Sequence, residues 1–109
     1  MSERASESAG PLYRHGDVLV TRVAELPGDV EKLTHLVLAE GEITGHSHRI
    51  AEPGSAELLQ SPTGMFLHVL WPSATLIHQE HGPIMLGQGV YRVWRQREYS
   101  PQEIRTVRH

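Results

Sequence analysis

Two histidine pairs at short spacing hold most of the chemistry available to this chain: His46 and His48 in GEITGHSHRIAE (41–52), and His78 and His81 in HQEH (78–81). Residues i and i+2 of a strand share a face, so His46 and His48 project side by side, as two cis ligands of one ion would. Glu52 returns to that face four residues after His48 if the strand continues. Neutral imidazoles joined by a carboxylate form a donor set for Zn²⁺, Fe²⁺, Mn²⁺ or Ni²⁺. The i, i+3 spacing of His78 and His81 splits them across a regular strand, so both converge only through a bend, which Gly82-Pro83 can supply. The expected metal ligands are therefore His46, His48, Glu52 and His81, with His78, Glu80 and Arg95 as catalytic groups beside the ion. His68 lies in an apolar run and reads either as a core histidine bonded to a carbonyl or as a further site residue. His15, His35 and His109 read as turn or surface residues.

Composition narrows the alternatives. The chain has no cysteine, so disulfides and thiolate metal sites are excluded and any metal must be held by His, Asp, Glu or water. Eight histidines in 109 residues is a high count, and five of them fall between positions 46 and 81. Ten basic against 13 acidic residues give a formal charge of −3, which argues neither for nor against nucleic acid. Half of the basic residues, Arg92, Arg95, Arg97, Arg105 and Arg108, crowd the C-terminal end. No apolar run approaches the roughly 18 residues needed to span a membrane, and MSERASESAG lacks an apolar signal core. The expectation is a cytoplasmic protein with no membrane partner.

The elements that must position these residues read as strands. Residues 1–10 look like a flexible tail, and 11–109 like a single β-barrel domain. GDVLVTRVAEL (16–26) alternates Val18 and Val20 on one face with Leu19, Thr21 and Val23 on the other. LTHLVLAE (33–40), AELLQ (56–60), the apolar MFLHVLW (65–71), ATLIHQEH (74–81) and VYRVWRQREY (90–99) follow, separated by Pro- and Gly-containing breaks. SPQEIRTV allows one terminal helical turn or a last strand. No 3.6-residue period is sustained, and turn signals recur at the spacing of all-β domains. The expected fold is all-β, a small cupin-like barrel or two-sheet sandwich of about seven or eight short strands. A core of this size buries a modest share of the chain's surface, so a metal or homo-oligomer formation is expected to add stability.

GEITGHSHRIAE resembles the first motif of the cupin superfamily, in which a Gly precedes an HxH pair followed shortly by Glu; Gly41, His46, His48 and Glu52 occupy those places. The resemblance implies a metal-bearing β-barrel. The second cupin motif is matched by Pro62-Thr63-Gly64 with His68, or by His78 or His81 with the Pro-x-Gly lost, and the chain contains no Asn. GHSH, HQEH and GVYRVWRQREY together are also similar to a small bacterial family of unassigned function.

Three functions fit these residues. The first is a metal-dependent β-barrel protein acting on a small anionic substrate that Arg49 or Arg95 neutralises. The second is a metal-independent catalyst, a phosphodiesterase or ribonuclease, using paired histidines as acid and base. The third is a non-enzymatic oligomeric or nucleic-acid-binding module, its platform the arginine- and aromatic-rich YRVWRQREY, which reads equally as a charged sheet edge.

Overall fold

A computed structural model of the chain describes residues 12–40 and 45–95. The tail at 1–10, Gly41, the second half of the 90–99 run and the SPQEIRTV segment lie outside the described residues. Eight strands follow in order: β1 (Leu12–His15), β2 (Val18–Val23), β3 (Glu31–Lys32), β4 (Val37–Glu40), β5 (Ser47–Ile50), β6 (Ala56–Ser61), β7 (Gly64–Ile77) and β8 (Ile84–Arg95). The all-β expectation holds. All pairings are antiparallel and belong to one sheet ordered β1-β2-β8-β7-β5-β4, with β6 on β7 and β3 on β6. The sheet is not closed into the expected barrel, because β1 and β4 end the order without pairing to each other.

The long β7–β8 ribbon forms the spine. Pro72-Ser73, expected to interrupt the chain, instead lies within β7, and Ile84–Gly89 belongs to β8 rather than to a connection. Between the pairs Val69↔Gly89 and Ser73↔Gly87, β7 advances four residues while β8 advances two. Such a bulge bends the ribbon, and the inward phase changes across it: Leu67, Val69, Tyr91 and Val93 are buried on one side, Ala74, Leu76 and Leu86 on the other. Both halves therefore face one core, completed by Val18, Val20, Leu38, Ile50 and Leu58. Tyr91 carries its hydroxyl into this apolar setting by donating to the Gly87 carbonyl at 2.7 Å, which satisfies a polar group that burial would otherwise penalise. Among the described residues no helix is long and apolar enough to cross a membrane.

A candidate metal centre of clustered histidines

The inward rows of β1, β5, β7 and β8 each run on to an imidazole or a charge. Tyr13 packs against the core and His15 follows it on the same face of β1. On β5, His48 precedes buried Ile50; past β7, His78 follows Leu76; on β8, Arg95 follows Val93. Period-two alternation thus brings together residues far apart in sequence. A two-residue hairpin turn joins His15, paired with Val18, to β2. Gly16 takes its first position at φ 65°, where glycine is favoured, and Asp17 takes the second. The bend expected after β7 occurs at 79–81 and returns His81 toward His78.

Four rings surround a common space. Centroids of His15, His48 and His81 form a triangle with sides of 5.0, 5.6 and 5.8 Å. His78 lies 4.3 Å from His48, 4.7 Å from His81 and 6.2 Å from His15. His46 stands on the outer side of His78, at 5.7 Å. His15 and His48 are each only 2 % exposed, whereas His81 and Glu80 face solvent, so the cluster is closed below and open above.

The hydrogen bonds fix where protons can sit. His15 Nε2 lies 3.0 Å from the Gly82 carbonyl oxygen. A carbonyl only accepts, so Nε2 carries the hydrogen and neutral His15 keeps its lone pair on Nδ1. That lone pair faces His48 Nδ1 at 2.9 Å. On the far side of His48, Nε2 faces Asp17 Oδ1 at 3.5 Å, while Asp17 Oδ2 accepts from Arg95 at 2.9 and 3.3 Å. A neutral His48 that donates to His15 turns its Nε2 lone pair toward the carboxylate, a contact longer than a good hydrogen bond; a protonated His48 would be attracted to both neighbours. The Glu80 amide donates to His78 Nδ1 at 2.9 Å, which leaves the hydrogen of neutral His78 on Nε2.

Protonation is disfavoured here. Burial, then the neighbouring His78 and His15, push His48 down to about 4 against the pull of Asp17. Burial also lowers His15, with His81 and His78 adding to it over the opposing Gly82 bond. Desolvation, His81 and His46 lower His78. For Asp17, burial opposes ionisation, but the Arg95 hydrogen bond and charge outweigh it and hold the carboxyl below its ordinary value. A histidine depressed in the folded state stabilises the fold fully above its unfolded value and loses that contribution as pH falls toward its folded one. Metal-free protein should accordingly lose about 2 kcal/mol from His48 alone between pH 7.5 and pH 5, read as a fall in urea midpoint in chelator. A midpoint unchanged across that interval would contradict the neutral dyad.

Of the residues expected at the site, His46, His48, His78, His81 and Glu80 are brought together, Glu80 Oε2 lying 3.6 Å from His46 Nδ1. Arg95 reaches the cluster through Asp17. Glu52 does not share the cluster's contacts: β5 ends at Ile50, the chain turns through Pro53-Gly54, and both carboxylate oxygens accept from Thr75, from its amide at 2.8 Å and its hydroxyl at 2.6 Å. Those two bonds hold its carboxyl below the ordinary value. His15, read from sequence as a turn residue, is the buried centre of the cluster, and Asp17 was not anticipated. The available signal was HGD at a strand end, an inward histidine two residues after Tyr13. His68 pairs with Glu57 and Val90 in mid-sheet, on the face opposite buried Leu67 and Val69. His35 is exposed, as expected, and accepts from the Val37 amide. A separate cleft of about 330 Å³ lies beside Leu33, Leu36, Pro53 and Leu58, away from these rings.

Among the described residues no group of three or more His, Asp or Glu side chains is placed to hold a metal ion. The present rotamers are hydrogen-bonded ones: 2.9 Å between His15 and His48 Nδ1 is shorter than the about 3.3 Å separating two nitrogens on a tetrahedral ion with bonds of about 2.0–2.1 Å. No curated protein and no solved structure matches the chain. A family model matches residues 14–96, a span containing every member of the cluster.

Proposed function

Because the chain belongs to a family described as a domain of unknown function (DUF8820), its chemistry rests on the site's own geometry, and we propose that it is a metal-binding β-domain whose ion is held by His15, His48 and His81. The observation that carries this reading is the pair of facing Nδ1 atoms. His15 directs its other nitrogen to a carbonyl and His48 directs its own to a carboxylate, the outer partners that orient metal-bound histidines. An ion between the two Nδ1 atoms would leave the hydrogen of His48 on Nε2, directed at Asp17. The ring triangle supports it, since imidazoles around one tetrahedral ion have centroids about 5 Å apart by the same bond lengths. A widening of a few tenths of an ångström between the two Nδ1 atoms completes the change.

Three nitrogens with no thiolate or carboxylate suit Zn²⁺, Fe²⁺ or Ni²⁺ better than Mn²⁺. When bound, such an ion would act as a Lewis acid toward a small substrate and lower the pKa of a bound water. Asp17, braced by Arg95, orients His48. Glu52 serves the fold rather than the ion.

Purification without chelator followed by elemental analysis, and thermal melts with and without added Zn²⁺ or Ni²⁺, test the reading. Metal-dependent stabilisation is expected in the wild type and in Glu52→Ala, which loses about 1–3 kcal/mol of stability through the unpaired Thr75 amide. Absence of metal together with no response to any added ion would sink the proposal.

A metal-free acid–base function is the second reading, favoured by the His15–His48 hydrogen bond itself. A general base works best with a pKa near the working pH, and His48 at about 4 is poorly placed for it. Activity on a phosphodiester that persists in chelator would favour this alternative.

A further inference from the structure

Independently of the histidine cluster, we infer that the cleft of about 330 Å³ between β3 and the β7 bend binds a small uncharged carbonyl compound with an apolar body. The cleft originates in the way β7 changes partners. Along one edge of β7, β6 pairs as far as Val69 and β5 takes over only at Leu76. The chain between β5 and β6 bends away there through Pro53-Gly54. Residues 33–36 cross the gap and are fastened at both ends. The Leu33 amide donates to the Leu58 carbonyl of β6 at 2.8 Å, and the Leu36 carbonyl accepts from the Ile50 amide of β5 at 3.0 Å. The walls are thus held by main-chain bonds before any ligand arrives, as ligand sites usually are.

The lining selects the class of ligand. Leu33, Leu36, Pro53, Leu58 and Leu70 supply apolar surface. Leu70 and Trp71 are 40 % and 47 % exposed, and Trp71 Cζ2 lies 3.7 Å from where a Cβ on Gly54 would stand. Large apolar side chains gathered in the open around a concavity mark a place of interaction. The volume falls at the lower end of the about 300–1,000 Å³ of small-molecule sites, which suits a short chain or a single ring. Charge is already balanced. Lys32 and Glu57 meet at 3.2 Å, and Glu31 beside them is a further acid, so no positive charge is left over for an anion. The hydrogen-bonding groups that remain can donate. His35 accepts the Val37 amide on Nδ1 at 3.1 Å, so neutral His35 carries its hydrogen on Nε2, and Thr34 adds a hydroxyl. A carbonyl oxygen accepts from either. A charged head brought against these leucines would lose water without gaining a partner.

Titration of the ¹⁵N-labelled full chain with 2-octanone, followed by amide and indole shifts, tests the assignment. Octanoate and octylammonium are the charged controls of equal chain length. Saturable shifts are expected at Leu33, Leu58, Leu70 and the Trp71 indole, with His15 and His48 unmoved, and at least about fivefold weaker binding of both charged controls. Leu70→Asp changes an exposed wall residue and should weaken the ketone at least about tenfold. His35→Ala, also at an exposed position, should weaken it about fivefold by removing a donor. No saturable shift, shifts spread over the whole surface, or two variants that bind the ketone like the wild type would overturn the site. Tighter binding of octanoate or octylammonium than of the ketone would overturn the class of ligand.

Discussion

Zinc at a hundredfold excess over its dissociation constant should raise the folding free energy by about 2.7 kcal/mol, and His48→Ala should remove the entire rise. For a domain of this size each kcal/mol moves the melting temperature by about 4–8 °C, so the wild-type shift exceeds 10 °C. The metal-free variants carry the sharper information. His48→Ala strands the His15 Nδ1 acceptor in a site 2 % exposed, and an unsatisfied buried group costs about 1–3 kcal/mol. His15→Leu combined with His48→Leu removes both partners at once. Their outer contacts, Asp17 and Gly82, are open enough to regain water, and replacing both members of a polar pair by apolar groups can be nearly neutral or stabilising. The double variant is therefore expected to be at least as stable as the metal-free wild type, more stable than either single variant, and blind to zinc. Thermal melts in chelator and in zinc measure all four proteins. A double variant that still gains stability from zinc would show that the ion binds elsewhere.

Gly16→Ala should cripple the site from the backbone. At φ 65° an L side chain costs about 1–2 kcal/mol. A Cβ there would also lie 2.7 Å from His81 Nε2 and 2.9 Å from His48 Cε1. His81 faces solvent and can swing aside, but His48 is packed and cannot, so relief comes by opening the ring triangle. Loss of about 1–2 kcal/mol in the metal-free melt should accompany at least about tenfold weaker zinc binding by competition titration. Gly16→Asn separates the two effects. Asn tolerates this backbone region, so stability largely returns, yet its Cβ meets the same two rings and binding stays weak. Recovery of full affinity in the Asn variant would mean that the close contact is irrelevant.

The all-β class was legible because alternation and turn spacing are local properties of the chain. Val18 and Val20 enter the core as their alternation requires, and the HxH pair and HQEH do meet, through the bend that their spacing demanded. What escaped was set by distance along the chain or by where a strand stops. His15 reaches His48 only after β1 pairs with β2, β2 with β8, β8 with β7, and β7 with β5, and no local pattern announces four successive pairings. Glu52 was placed with the histidines on the premise that β5 continues; the strand ends at Ile50, and the carboxylate finds Thr75 within hydrogen-bond reach. Pro72 looked like a break because proline lacks an amide, yet it falls where the register shifts and the ladder is already irregular. Of the residues behind the cupin resemblance, His46 and His48 lie at the cluster, Glu52 does not share its contacts, and Gly41 is outside the described residues.

The open sheet also bears on how copies of this chain can meet. Among the described residues its end strands are short: four residues in β1, four in β4 and two in β3. They present Arg14, Glu31, Lys32 and Glu40 to anything that approaches. An incoming strand would find few backbone groups to ladder onto and charge along the seam, the means by which natural sheets discourage edge-to-edge aggregation. Side-by-side extension into a continuous ribbon of molecules is the assembly this architecture resists.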